Sequence, residues 1–270
     1  IYATHMRSEG DRIEEALAEV LGIARTTGVR VQISHLKTAG KANWGKLEGV
    51  LGQINAARAA GCEVHADRYP YCVSATSLDS RLPGWAQADG NAAILARLRD
   101  PRSAARVVRE LSAGTTPDSW EQVIIGGTTA PELARFRGAT LAAIAREWRC
   151  TPPEAFVKFL VADQLHTDAF FASMSEENLR RIYSEPWVMV GSDASIRATT
   201  GPLSQDFPHP RTYGTFARFL RMALDGALSF GIEEAVRRLT LLPAQASGLE
   251  GRGQLVAGAW ADLAVFDPAA

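Results

Sequence analysis

Cysteine is scarce in this chain: there are 3, Cys62, Cys72 and Cys150, and no two of them form a CxxC pair. An odd, scattered set argues against a disulfide framework and for a reducing compartment, the cytoplasm by default. An excess of charge of one sign is missing too. With 29 basic and 30 acidic residues the formal net charge is −1, which speaks against an electrostatic nucleic-acid binder and fits a small neutral or anionic substrate better. Long hydrophobic runs are absent; stretches such as 263–266 fall far short of the roughly 20 residues that span a membrane. Nothing at the start resembles a signal peptide. There is no internal repeat and no low-complexity tract. The first residue is Ile1 rather than Met, and the chain opens directly in a β-prone run, which reads as a fragment of a longer protein.

What is present is enough for one large α/β domain: 270 residues, 46% of them hydrophobic. Short β-prone runs at 1–5, 30–35, 63–69, 122–126 and 187–192 alternate with helical patterns, the signature of βα units around a parallel sheet. Between the first two runs, Ile13, Leu17, Val20, Leu21 and Ala24 recur at helical spacing and Gly28 stops the pattern. Leu47, Val50, Leu51 and Ile54 repeat the design before Gly61. Further helical patterns fall at 141–149, 153–162, 175–183, 213–224 and 232–239. From 74 to 119 the rhythm breaks, which reads as an insertion over the strand ends, and 253–266 reads as a short β-hairpin. The expected organisation is therefore a barrel-like domain over 1–250 and a hairpin within 251–270.

Three of the 5 histidines, His5, His35 and His65, end β-prone runs, spaced 30 residues apart. In a parallel barrel, residues one βα unit apart converge on the C-terminal rim, where active sites lie. Neutral imidazoles are common zinc ligands, so rim histidines on adjacent strands could share one metal. His35 and His65 sit in the richer segments, Ile33-Ser34-His35-Leu36-Lys37 and His65-Ala66-Asp67-Arg68-Tyr69-Pro70-Tyr71. Asp193 ends another strand after Gly191-Ser192, where a carboxylate could serve as a general base; an N-cap role is the plainer alternative. Lys37, Tyr69 and Arg211 are the further polar candidates, with chemistry suited to gripping a carboxylate. Cys62, three positions before His65, belongs on the opposite strand face. Cys72 reads as a small apolar rim residue, and His166 and His209 attract no metal role.

These segments, together with His209-Pro210-Arg211-Thr212-Tyr213-Gly214 and Arg252-Gly253 through Ala261-Asp262-Leu263, resemble the D-aminoacylase (N-acyl-D-amino-acid deacylase) family of the amidohydrolase superfamily. The resemblance runs along nearly the whole chain in order. It implies a partial TIM-like (β/α) metal-dependent barrel, about strands 4–8, with a remnant of a small β domain, and zinc-dependent hydrolysis of N-acyl-D-amino acids. It further implies that His35 and His65 are zinc ligands, that Asp193 is the catalytic carboxylate and that Lys37, Tyr69 and Arg211 bind the substrate α-carboxylate. His5 and Arg7 end the fourth strand with no ligand role carried over. The family's His-x-His pair and its cysteine ligand should lie upstream of Ile1, and no His-x-His occurs here.

Two alternatives compete with this reading. A cyclic-amide hydrolase of the hydantoinase or dihydroorotase type would carry a modified lysine on the fourth strand, which here ends Thr4-His5-Met6-Arg7 without lysine. A non-catalytic fragment would instead pair with the missing N-terminal half of the barrel.

Overall fold

Ile13, Ala16, Leu17, Val20, Leu21 and Ala24 recur at three- and four-residue intervals, and the helix Ile13–Thr27 turns all of them into the core. It ends at Gly28, whose left-handed φ of 68° lets its N–H reach the Ala24 carbonyl. This unit and the next, helix Leu47–Ala59, form because each strand and helix offers one apolar face to the other. The computed structural model describes residues 1–204 and 206–268, with Pro117 and Asp118 described by backbone alone.

Seven strands are described: β1 (Tyr2–Thr4), β2 (Val31–Ile33), β3 (Val64–Arg68), β4 (Ser74–Ser77), β5 (Val123–Ile125), β6 (Asp168–Phe171) and β7 (Val188–Val190). They form two sheets. One is wholly parallel, in the order β1-β2-β3-β7, and the other is antiparallel, β4-β6-β5. The chain accordingly divides into a first unit, Ile1–Cys72 with Ser173–Ser195 and Pro210–Ala270, and a second, Val73–Ala172 with Ile196–His209.

In the first unit Val31, Ile33, Val64, Ala66 and Val188 alternate into a core shared with the two helices above. The opposite face of β2 and β3 carries Gln32, His65 and Asp67, so polar groups line the face a barrel would enclose. The helix Arg211–Leu224 adds Phe219 and Met222 to the same core. The second unit has a core of its own, in which Val123, Ile125, Ala169 and Phe171 of the antiparallel sheet meet Phe156, Phe159 and other helical residues.

Two expectations are corrected. The run at 122–126 does form a strand, but β5 pairs with β6 in the antiparallel sheet, so the parallel arc has four strands rather than five. Periodicity marks a strand without saying which sheet receives it. Segment 253–266 forms no strand; Leu255, Trp260, Leu263 and Val265 are exposed along it, and an isolated hairpin without a sheet or helix to cover it is marginal in water. The irregular stretch expected at 74–119 falls in the first part of the second unit, which extends well beyond it. Among the described residues no helix is long and apolar enough to cross a membrane.

Candidate active site

Backbone strain marks the site before any side chain is considered. Among the described residues, the non-glycine positions with positive φ are His35, Asp89, Arg149, Gln164, Leu165 and Asp193. Asp89, Arg149, Gln164 and Leu165 follow helix ends, where a left-handed residue is ordinary. His35 (φ 43°) and Asp193 (φ 49°) instead follow β2 and β7, at the C-terminal edge of the parallel sheet. Non-glycine strain of this kind concentrates where function over-determines geometry.

His35 is buried, and its two ring nitrogens face different partners. Nε2 lies 2.7 Å from Nδ1 of His5, the two rings meeting edge-on at a centroid distance of 4.5 Å. Nδ1 lies 2.7 Å from a Glu9 carboxylate oxygen and 2.8 Å from Lys37 Nζ, and Lys37 also pairs with Glu9. His5, Glu9 and His35 thus present donor atoms close enough to hold one metal ion. Glu9 Oε1 engages His35 Nδ1 and Lys37, while His35 Nε2 and His5 Nδ1 face each other, so Glu9 stands behind the His35 ring on the side away from His5. Burial pushes the Glu9 carboxyl up, but the hydrogen bond from His35 and the Lys37 charge outweigh it and leave it below the usual carboxylate range. Burial pulls Lys37 down to about 8 against the opposing pull of Glu9. Burial likewise lowers His5 and favours its neutral, metal-competent imidazole.

A second cluster adjoins this one. Arg211, buried in the first turn of its helix, places its guanidinium 2.7 Å from the half-exposed Asp193 carboxylate and 4.7 Å from the centre of the buried Tyr69 ring. Lys37 Nζ lies 6.0 Å from the same ring centre, and the Arg68 guanidinium stacks at 4.2 Å. Burial raises the Tyr69 hydroxyl above its ordinary range, so it remains a donor near neutrality. Behind both clusters stands Asp67, half-buried on β3. Its carboxylate accepts the His35 backbone N–H at 2.9 Å and Gln32 Nε2 at 2.7 Å. Burial raises its carboxyl above the usual value, with Asp193 adding to the effect and the hydrogen bonds opposing it.

Residues 188–270 match the amidohydrolase family. The chain is 35% identical to the N-acyl-D-glutamate deacylase of Alcaligenes xylosoxydans xylosoxydans over 99% of its own length and 45% of the relative's. It is 35% identical to the D-aminoacylase of the same organism, over 100% of its length and 46% of that protein. The chain resembles the D-aminoacylases in sequence and in fold. The solved N-acyl-D-glutamate deacylase of Bordetella bronchiseptica, a complex with zinc and a phosphonate mimic of the tetrahedral intermediate, superimposes with a TM-score of 0.75 at 33% identity, covering 99% of this chain and 46% of that one. A solved D-aminoacylase gives a TM-score of 0.71 at 33% identity, with 99% and 46% covered. The chain therefore spans about half the length of these relatives.

Of the residues expected from sequence, the structure brings His35, Lys37, Tyr69, Asp193 and Arg211 to one edge of the parallel sheet. His65 is not among them. Tyr2 stands opposite Val31 and Val31 opposite Val64, offsets of 29 and 33, so equal sequence spacing does not mean equal height. His65 lies opposite Gln32, deep on β2, while Asp67, two residues further on, reaches the His35 backbone N–H. The charges that act on His65 are those of Arg58, Glu63 and Arg30, and its Nδ1 is buried without a hydrogen-bond partner. Glu9 and Asp67 were not singled out from sequence. Asp67 shares a strand face with His65, and that alternation was its one available signal.

Proposed function

We propose that this chain is the part of a zinc-dependent N-acyl-D-amino-acid deacylase that carries two of its metal-binding histidines, its catalytic carboxylate and its grip on the substrate carboxylate. The observation that carries the reading is the His5–His35 pair, two imidazole nitrogens 2.7 Å apart with Glu9 behind His35. The donor chemistry fits zinc, for which neutral imidazole is a standard ligand. We assign His5 and His35 to the metal and leave His65 out. Two imidazoles are fewer than the three protein ligands of a usual catalytic zinc site, and the family's upstream histidine pair and cysteine complete the set in this reading.

Zinc bound there supplies a Lewis acid that polarises the acyl carbonyl and makes water a nucleophile at neutral pH. Asp193 accepts a proton from the attacking water and delivers it to the leaving amide nitrogen. Arg211 offers a planar fork to the substrate α-carboxylate, Lys37 a point charge and Tyr69 a hydroxyl donor. Arg211 Nη1 also lies 2.7 Å from the Asp193 carboxylate, which sets the base beside the group that grips the substrate. The products are a carboxylic acid and a free D-amino acid.

The test uses the full-length protein with N-acetyl-D-amino acids, their L-enantiomers and a hydantoin. Hydrolysis of the D-substrates that stops on zinc chelation and returns on adding zinc is the expected result. Turnover of the hydantoin alone, or deacylation indifferent to chelation, contradicts the reading.

A further inference from the structure

We propose that Asp67 is the positioning residue that sets the geometry of both strained site residues, His35 and Asp193, through one carboxylate oxygen. The inference rests on the functional reading above.

On the His35 side, β2 ends at Ile33 and the chain leaves the sheet through a residue with a left-handed φ of 43°. Ser34 N–H still bonds to the Thr4 carbonyl of β1, and Leu36 N–H bonds to the Asp67 carbonyl of β3. The His35 N–H between them has no strand carbonyl to meet. Asp67 Oδ1 meets it at 2.9 Å. Without that acceptor a buried amide is left unsatisfied at a residue already in a costly conformation, so the imidazole loses its fixed aim.

On the Asp193 side, the same oxygen sets the limit for β7. A Cβ built on Gly191 falls 2.7 Å from Asp67 Oδ1 and 2.9 Å from its Cγ, closer than real contacts allow. Gly191 therefore passes against the Asp67 carboxylate as only glycine can, with its N–H directed at the Arg68 carbonyl at 3.3 Å. Two residues later the chain turns through φ 49° at Asp193. Gln32, which donates to the other Asp67 oxygen at 2.7 Å, fixes the carboxylate's rotation. Asp67 is thus wedged between β2 and the end of β7, its oxygens taken up by the His35 N–H and Gln32.

The experiment is made in the full-length protein, with zinc affinity measured by chelator competition and kinetics on an N-acetyl-D-amino acid. Asp67→Ala is expected to weaken zinc binding by about 10–100-fold, the loss typical when a ligand's supporting partner is removed, and to lower kcat more than it raises KM. Asp67→Asn keeps an oxygen for the His35 N–H, and Gln32 can flip its amide to match, so it is expected to retain most of both. Gly191→Ala should also lower kcat, and Asp67→Ala/Gly191→Ala should be little worse than Asp67→Ala, since the collision is gone. Full zinc affinity in a folded Asp67→Ala variant overturns the proposal. So does an Asn variant as damaged as the Ala variant, which would mean that the charge and not the acceptor matters, or strict additivity of the two substitutions. If Asp67→Ala does not fold, Gly191→Ala decides alone, and wild-type turnover in it overturns the idea. His35→Ala in the same series separates the two levels: zinc lost there but kept in Asp67→Ala defeats only the positioning role, whereas zinc kept in both defeats the functional reading.

Discussion

Asp67 in the first unit and Asp163 in the second both use a carboxylate to hold a neighbouring segment's backbone, yet their environments differ. Asp163 is buried, and its oxygens accept from Thr129 N–H, the Thr129 hydroxyl, Ala130 N–H and the Thr167 hydroxyl. Burial pushes its carboxyl up, but these bonds prevail and hold it below the usual range. Asp67 has two donors, another carboxylate nearby and a net shift upward. The second unit satisfies its buried charge internally, as a structural brace does. The first unit leaves its charges partly unbalanced at the end of a sheet, where strained residues and metal-competent imidazoles gather. Excess donors point to stability, and their shortage beside strained backbone points to chemistry.

The largest break between the two regions should appear in turnover. Asp193→Asn keeps the carboxylate's shape without its basicity and is expected to cut kcat by at least about a hundredfold, while Asp163→Asn leaves kcat within about twofold because it touches no site group. Steady-state kinetics on folded, zinc-loaded protein checks both, and equal losses would erase the distinction.

Next in size is recognition. Arg211→Ala is expected to lose about 1.5–3 kcal/mol of binding to a substrate α-carboxylate, and so most of the preference for an N-acyl-D-amino acid over its α-amide. An unchanged preference would mean that Arg211 serves only Asp193. Arg211→Lys should recover little, since an ammonium cannot reproduce a two-pronged contact.

The second unit is expected to answer in stability. Asp163→Ala should cost on the order of 2–3 kcal/mol in chemical denaturation and leave kcat/KM of the folded protein alone. The smallest effect concerns acid. A carboxyl held low in the folded state contributes stability that is present above its unfolded value, near 3.8, and lost as pH falls through the folded value. Asp163→Asn should therefore flatten the acid limb of the stability profile below about pH 4. A profile with an unchanged acid limb would show that Asp163 contributes no proton-linked stability.

The helices of both units were legible in the sequence because three- and four-residue apolar spacing belongs to each segment alone; the patterns at 153–162 and 232–239 match helices Pro152–Ala162 and Ile232–Leu239. Sheet membership was not, since β5 looks the same in either sheet until its partner β6 is known. The same limit decides the site. His5, His35 and His65 are evenly spaced in sequence, but register is set by loop and helix lengths that spacing does not reveal, so the pair that meets is His5 with His35. Lys37, Tyr69, Asp193 and Arg211 stood out in the sequence as polar candidates, but definite roles for them came only with the family resemblance. Glu9 follows β1 in a loop, where no periodicity marks it.

The central claim is that height along the strands, not sequence interval, selects the metal-binding histidines. Zinc content per protomer in His5→Ala, His35→Ala and His65→Ala of the full-length protein, each purified folded, tests it most directly. His5→Ala and His35→Ala should each lose most of the zinc, because each removes one of the two imidazoles that this chain gives the metal, and His65→Ala should keep it. Zinc retained in His5→Ala and lost in His65→Ala would contradict the account.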